Sequence, residues 1–397
     1  MLKNLDENYV LQTYARQELN IVKGVNATLY DDNNKMYIDF TSGIGVVSIG
    51  HGNEKLSNAI SEQVKKMIHI SNLYLIEPQA KCAQKIVELS GMKDSENGAG
   101  CFFGNSGAEA NEGAIKIARK YGEINGETKR YKIITLEHSF HGRTITTVKA
   151  TGQESMHNYF GPFPDGFVYA ESIEQIESLI DDHTVAVMIE LVQGEGGVQP
   201  LEREAVKSLA AMLKQKDILL IVDEVQTGVY RTGEFLAANL YDIEPDIVTL
   251  AKGLGGGVPI GVVMTTHKDI LHAGDHGSTF GGNYLSTTAA LTVMEELEQH
   301  KDSGSLDHTC VYFEKKLSDL SEEFSDIFTS SVGFGLMRGL RVRDAKTLSD
   351  IIVKSRENGL LILKAGRNTL RFLPPLTITK EEIDEGFKRL STILATF

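Results

Sequence analysis

Ile218-Leu219-Leu220-Ile221-Val222-Asp223-Glu224-Val225-Gln226-Thr227-Gly228 is an unbroken apolar run that ends in two acids and a turn. A strand with one face in water would alternate, so a run without alternation predicts a strand covered on both faces. Similar runs lie on either side of it: Tyr131 to Thr135, Val185 to Glu190, Ile247 to Leu250 and Val262 to Met264, alternating with longer helical patterns. That alternation predicts an α/β fold, a mainly parallel sheet with helices on both faces and ligands at the strand ends.

The pattern changes towards both termini. Thr28-Leu29-Tyr30 and Met36-Tyr37-Ile38-Asp39-Phe40, joined by Asp31-Asp32-Asn33-Asn34, read as a hairpin. Cys310 to Phe324 reads as a long helix, Val332 to Val342 as Gly-punctuated strands, and a closing helix starts at Glu381. The ends are expected to combine into a smaller α+β domain, giving an N-terminal segment 1–45 that joins it, a large domain 46–300 and a C-terminal domain 301–397.

Composition narrows the chemistry. The 397 residues carry 40 Lys+Arg against 54 Asp+Glu, a formal charge of -14 with no basic block, which disfavours nucleic acid. Cys82, Cys101 and Cys310 are too few and scattered for a disulfide framework or a Cys-rich metal site. No run approaches the roughly 20 apolar residues of a membrane span, and residues 1–8 lack a signal core. The expectation is a soluble, cytoplasmic protein with no membrane partner.

Asp223 sits where a carboxylate is costly unless it meets a cation, and a protonated pyridine nitrogen is one such partner. Apolar residues followed by Asp-Glu also resemble a Walker B strand, but no lysine in the chain directly follows a glycine, so the phosphate loop that a P-loop enzyme requires is missing. No Gly-x-Gly-x-x-Gly occurs either, which removes a dinucleotide fingerprint. His138 and His141 lack the spacing and companions of a zinc site, and no metal is expected.

Lys252, in Ala251-Lys252-Gly253-Leu254-Gly255-Gly256-Gly257, follows the Ile247 to Leu250 run. An amine leaving a buried strand for a glycine-rich loop can shift its pKa and form a Schiff base with a carbonyl, although a solvated lysine fits the same position. Asn105-Ser106-Gly107-Ala108-Glu109 passes into a helix to about Lys120, and its small residues would leave N–H groups open to a phosphate; an ordinary Ser cap fits too. Arg143 and Arg371 could each bind a carboxylate or form an internal salt bridge.

Taken together and in this order, Asn105 to Asn111, Ser139-Phe140-His141-Gly142-Arg143-Thr144, Asp223 to Gly228 and Ala251 to Gly257 resemble the class III, fold type I pyridoxal-phosphate aminotransferases, from Tyr37 to Phe372. The resemblance implies a seven-stranded sheet with pyridoxal 5'-phosphate held covalently by Lys252. Asp223 would keep the ring nitrogen protonated, Phe140 and Val225 would flank the ring, and Gln226 would bond its phenolic oxygen. Ser106, Gly107 and Ala108 would take the phosphate, completed by Ser278 and Thr279 from a second subunit, which makes a homodimer with shared sites the minimum unit.

It further implies ping-pong transfer from the terminal amine of N-acetylornithine to 2-oxoglutarate, giving N-acetylglutamate semialdehyde and glutamate. Arg371 would pair with 2-oxoglutarate and be covered by Glu195 of Gln193-Gly194-Glu195-Gly196-Gly197 during the donor half. Arg143 would hold the donor's carboxylate, with Asn72-Leu73-Tyr74 beside it. At Ile44, ornithine-specific members carry a tyrosine that grips the free amino-acid end, a bond isoleucine cannot make. Ornithine, succinylornithine, succinyldiaminopimelate, acetyllysine and 4-aminobutyrate remain rival donors, and an aminomutase or a non-catalytic protein of the same fold would share many of these residues.

Overall fold

In the computed structural model, which describes residues 2–92, 98–124, 126 and 128–397, the Leu219 to Asp223 run is the middle strand of a seven-stranded sheet. In chain order the strands are β1 (Gly100–Gly104), β2 (Lys132–Leu136), β3 (Phe167–Ala170), β4 (Thr184–Ile189), β5 (Leu219–Asp223), β6 (Ile247–Leu250) and β7 (Gly261–Thr265). Across the sheet they lie β1-β7-β6-β5-β4-β2-β3. Every residue of β4, β5, β6 and β7 is buried, which is why these runs show no alternation.

Strands β6, β5, β4, β2 and β3 are parallel to their neighbours in that series. Strand β7 runs antiparallel to β6 and to β1. The chain allows little else, because residues 251–260 give only ten residues between β6 and β7, fewer than the dozen or so that a parallel crossover needs.

Towards the termini, Ile21–Val25, Thr28–Asp31 and Met36–Asp39 form an antiparallel meander, and Leu360–Leu361 adds to it parallel to Met36–Asp39. Phe328–Phe334, Met337–Val342, Thr369–Phe372 and Leu363–Ala365 make a second antiparallel sheet, which carries Arg371. The two ends of the chain also share a core. Phe40 packs edge-on against Phe313 at 5.4 Å and Phe372 at 6.2 Å between ring centres, and Phe313 meets Phe387 of the closing helix Lys380–Leu394 at 5.1 Å. Burying such large rings is worth roughly 2 kcal/mol or more apiece, enough to hold residues far apart in sequence together.

Among the described residues, no helix is long and apolar enough to cross a membrane, and no group of three or more His, Cys, Asp or Glu side chains is placed to hold a metal.

Candidate active site

Strand ends build a cavity of about 400 Å³. Strand β5 terminates in Asp223, β4 is followed by Glu190, β6 leads through Ala251 into Lys252, and β1 leads through Asn105 into the helix Gly107–Ile124. All of these positions line the cavity except the strands' inner residues. The parallel ladder pairs Val222 with Ile189, so the next residues, Asp223 and Glu190, come level on neighbouring strands.

Asp223 is 3% exposed and accepts three hydrogen bonds. Its Oδ2 accepts from Asn111 Nδ2 at 2.8 Å and from His141 Nδ1 at 2.8 Å, and its Oδ1 accepts the Val225 N–H at 3.0 Å. Burial alone would raise this carboxyl. The hydrogen bond and attraction of His141, with the Val225 and Asn111 donors, outweigh burial and hold Asp223 below its ordinary value. A carboxylate kept ionised in an enclosed cavity suits a cationic N–H partner.

Lys252 has a positive φ of 40°, an uncommon backbone for a side chain of this size, adopted where the chain turns out of β6. Among the described residues its Nζ has no hydrogen bond or ion pair. Burial lowers its pKa and the Arg371 charge acts the same way, with Asp223, Glu195 and Glu190 opposing. The amine is therefore more often neutral than a surface lysine, the state in which it can attack a carbonyl.

At the helix start, Ser106 Oγ accepts the Glu109 N–H at 3.2 Å, the ordinary cap expected of this sequence. The Gly107 and Ala108 N–H groups are left without partners among the described residues, at the positive end of an 18-residue helix. Glycine is required here, since a Cβ on Gly107 would come within 2.7 Å of Val225 Cγ1. Gly194 has a comparable role: the Gln226 amide occupies the space a Cβ would need, 2.2 Å from Oε1.

The arginines differ. Arg143 is exposed and lies over the Phe140 ring, 5.5 Å from its centre, with no ion pair among the described residues. Arg371 is 3% exposed, and its Nη1 donates to Glu195 Oε1 at 2.6 Å and more weakly to Gln226 Oε1 at 3.4 Å. Its buried Nε has no partner. A cation closed by a single carboxylate that is itself one-third exposed, 33%, can exchange that carboxylate for a ligand's.

Of the residues expected from sequence, Ser106, Gly107, Ala108, Phe140, Arg143, Glu195, Asp223, Val225, Gln226 and Lys252 line the one cavity, and Arg371 lies against it through Glu195. The other four stand apart from it. Tyr74 is 64% exposed and Thr279 is exposed, while Ser278 Oγ accepts from Asn105 Nδ2 at 3.1 Å. Ile44 is 43% exposed, and Val46 takes a place in the cavity wall. The cause is local: Ser42, Gly43, Ile44 and Gly45 all have positive φ, and this left-handed turn swings Ile44 away. Sequence reasoning gave no role to Asn111, His141 or Glu190; their proximity to Asp223 arises only from the fold.

The donor set fits pyridoxal phosphate. A stable carboxylate, a recessed amine, apolar walls from Phe140 and Val225, and unpartnered N–H groups at a helix start match respectively its ring nitrogen, carbonyl, ring faces and phosphate.

The sequence matches the family Aminotransferase class-III over residues 10–394. It is 56% identical over 391 residues to the acetylornithine aminotransferase of Wolinella succinogenes, covering 98% of each chain. Among solved structures, the ornithine aminotransferase of Toxoplasma gondii superposes with a TM-score of 0.92 at 31% identity, over 100% of this chain and 94% of that one. The N-acetylornithine aminotransferase of Stenotrophomonas maltophilia gives 0.83 at 32% identity, over 99% and 98%.

Proposed function

The chain belongs to the class-III aminotransferases, pyridoxal-phosphate enzymes, and from that premise we propose that it moves the terminal amino group of N-acetylornithine to 2-oxoglutarate, a step of arginine biosynthesis. The observation that carries the substrate assignment is the contrast between an unpaired Arg143 and an Arg371 closed by Glu195 at 2.6 Å. One cation is open to a donor's carboxylate while the other is masked from its ammonium.

When bound, the cofactor supplies an electron sink that stabilises negative charge on the carbon bearing the transferred nitrogen. Asp223, held ionised by His141, Asn111 and the Val225 N–H, keeps a proton on the ring nitrogen. Lys252 Nζ would hold the cofactor through its carbonyl and, when freed by the donor, would be the base that carries the proton of the substrate carbon. The Gly107 and Ala108 N–H groups, with Ser106, receive the phosphate. Phe140 and Val225 would flank the ring and exclude water, and the Gln226 amide nitrogen, without a partner among the described residues, would reach the phenolic oxygen.

Arg143 orients the donor through its carboxylate. In the second half-reaction Glu195 yields Arg371 to the α-carboxylate of 2-oxoglutarate, so one site serves two substrates. Ser278 and Thr279 stand outside their own chain's cavity, on a loop braced by Asn72 Nδ2 to Ser278 O at 3.1 Å and to Gly281 O at 2.9 Å. That supports a homodimer in which each copy completes the other's phosphate site. The acidic, cysteine-poor chain suits the cytoplasm.

Single-turnover reduction of the holoenzyme by N-acetylornithine, ornithine and 4-aminobutyrate tests the assignment. N-acetylornithine should react fastest at low concentration. Faster reduction by either rival would reassign the donor.

A further inference from the structure

Glu190 is a buried acid of the cavity wall to which the mechanism above gives no task. It is 6% exposed, and its Oε2 accepts the Phe140 N–H at 2.9 Å. No other donor reaches it among the described residues, leaving Oε1 as the oxygen free to meet a ligand in the cavity that Glu190 lines.

Its neighbour on the sheet is Asp223, level with it at the end of β5. Two enclosed carboxyls side by side do not both ionise at neutral pH without compensation. Asp223 collects three hydrogen bonds, from His141, Asn111 and Val225, whereas Glu190 collects one. The charge therefore settles on Asp223 and the proton on Glu190. Burial pushes Glu190 up to about 7; the His141 and Lys252 charges pull it down, and Asp223 pushes it up further. Where environments drive paired acids apart, the protonated member acts as a donor.

We propose that Glu190 is the neutral hydrogen-bond donor of this pocket, carrying a proton on Oε1 and donating it in a hydrogen bond to the phenolic oxygen of the bound cofactor while Oε2 holds the Phe140 N–H. Glu190 thereby contacts the cofactor from the strand beside Asp223, joining Gln226 at the same oxygen. No bond is broken and no proton changes owner.

The proposal rests on the cofactor reading above, and the two fail differently. If the wild-type protein shows no saturable uptake of pyridoxal phosphate, that reading falls and this one with it. If the wild type binds, two variants and one spectrum decide Glu190 alone. Glu190→Ala loses the donor and should weaken cofactor affinity about 10-fold or more, the order expected for a hydrogen bond to a charged oxygen. Glu190→Gln keeps a neutral donor and should stay within about threefold of wild type. Difference infrared spectra of the wild type should show a protonated-carboxyl C=O stretch that moves when cofactor binds and is missing in Glu190→Gln; a merely structural clamp on Phe140 would not move it. Wild-type affinity in Glu190→Ala, or an ionised Glu190 in the infrared spectrum, overturns the proposal.

Discussion

Replacing Glu195 by Ala removes the one carboxylate that pairs with Arg371 among the described residues. The guanidinium is 3% exposed and, among the described residues, would retain the 3.4 Å contact to Gln226 alone, with no partner for Nε. Breaking an enclosed ion pair costs about 3–5 kcal/mol, much of it the penalty of stranding the other charge. The Glu195 side chain is 33% exposed, so water screens part of that cost and about 2 kcal/mol is the appropriate figure. At about 1.4 kcal/mol per decade, that corresponds to roughly 30-fold.

The cost should fall on one half of the cycle. An unmasked Arg371 repels the donor's ammonium and competes for its carboxylate, so amino-group uptake from N-acetylornithine should slow by about 30-fold. The 2-oxoglutarate half, in which Glu195 has to leave Arg371 anyway, should hold its rate or gain. Stopped-flow absorbance records the two halves separately, and Glu195→Gln serves as a control for side-chain volume. Equal slowing of both halves in Glu195→Ala would refute the masking argument.

Two further outcomes follow from other buried acids. His141→Phe removes the strongest partner of Asp223, leaving Oδ2 with Asn111 alone; the Asp223 carboxyl rises, and the acid limb of the kcat/KM profile should move to higher pH with activity down at least about 10-fold, whereas an unmoved limb would mean that His141 only fills space. Glu224, 1% exposed, accepts from Thr227 Oγ1 and from the Ala238 N–H at 2.8 Å, and burial pushes it up to about 7. A carboxyl raised in the folded state binds its proton more tightly there, so its contribution is complete below about pH 4.5 and is lost as pH climbs through about 7. Urea unfolding between about pH 5 and about pH 8 should therefore cost the wild type roughly 2–3 kcal/mol that Glu224→Gln does not lose, and parallel curves for the two proteins would contradict this.

Strands β4, β5, β6 and β7 were legible because burial on both faces leaves a continuous apolar run. Strand β3 was not, since it is the sheet's edge, with Val168 and Tyr169 only partly buried. Strand β1, at the opposite edge, is likewise only partly buried over Gly100, Cys101 and Phe102. Motif residues such as Asp223, Gln226 and Lys252, which line the cavity, could be picked out in sequence because each sits beside its own strand end. His141 and Asn111 could not, because they meet Asp223 across intervals of 82 and 112 residues that only the fold closes, Asn111 from helix Gly107–Ile124 and His141 from the loop after β2. Ile44 was expected beside the substrate; it lies on a left-handed turn, invisible to hydropathy, and stands 43% exposed while Val46 lines the cavity.

The central claim is that the Lys252 amine holds the cofactor covalently and is freed by the amino donor. Borohydride reduction of the holoenzyme followed by peptide mass spectrometry tests it directly. One pyridoxyl label per chain is expected, on Lys252, and none when N-acetylornithine is added before the reductant. A label on another lysine, or one that the donor does not abolish, would contradict it.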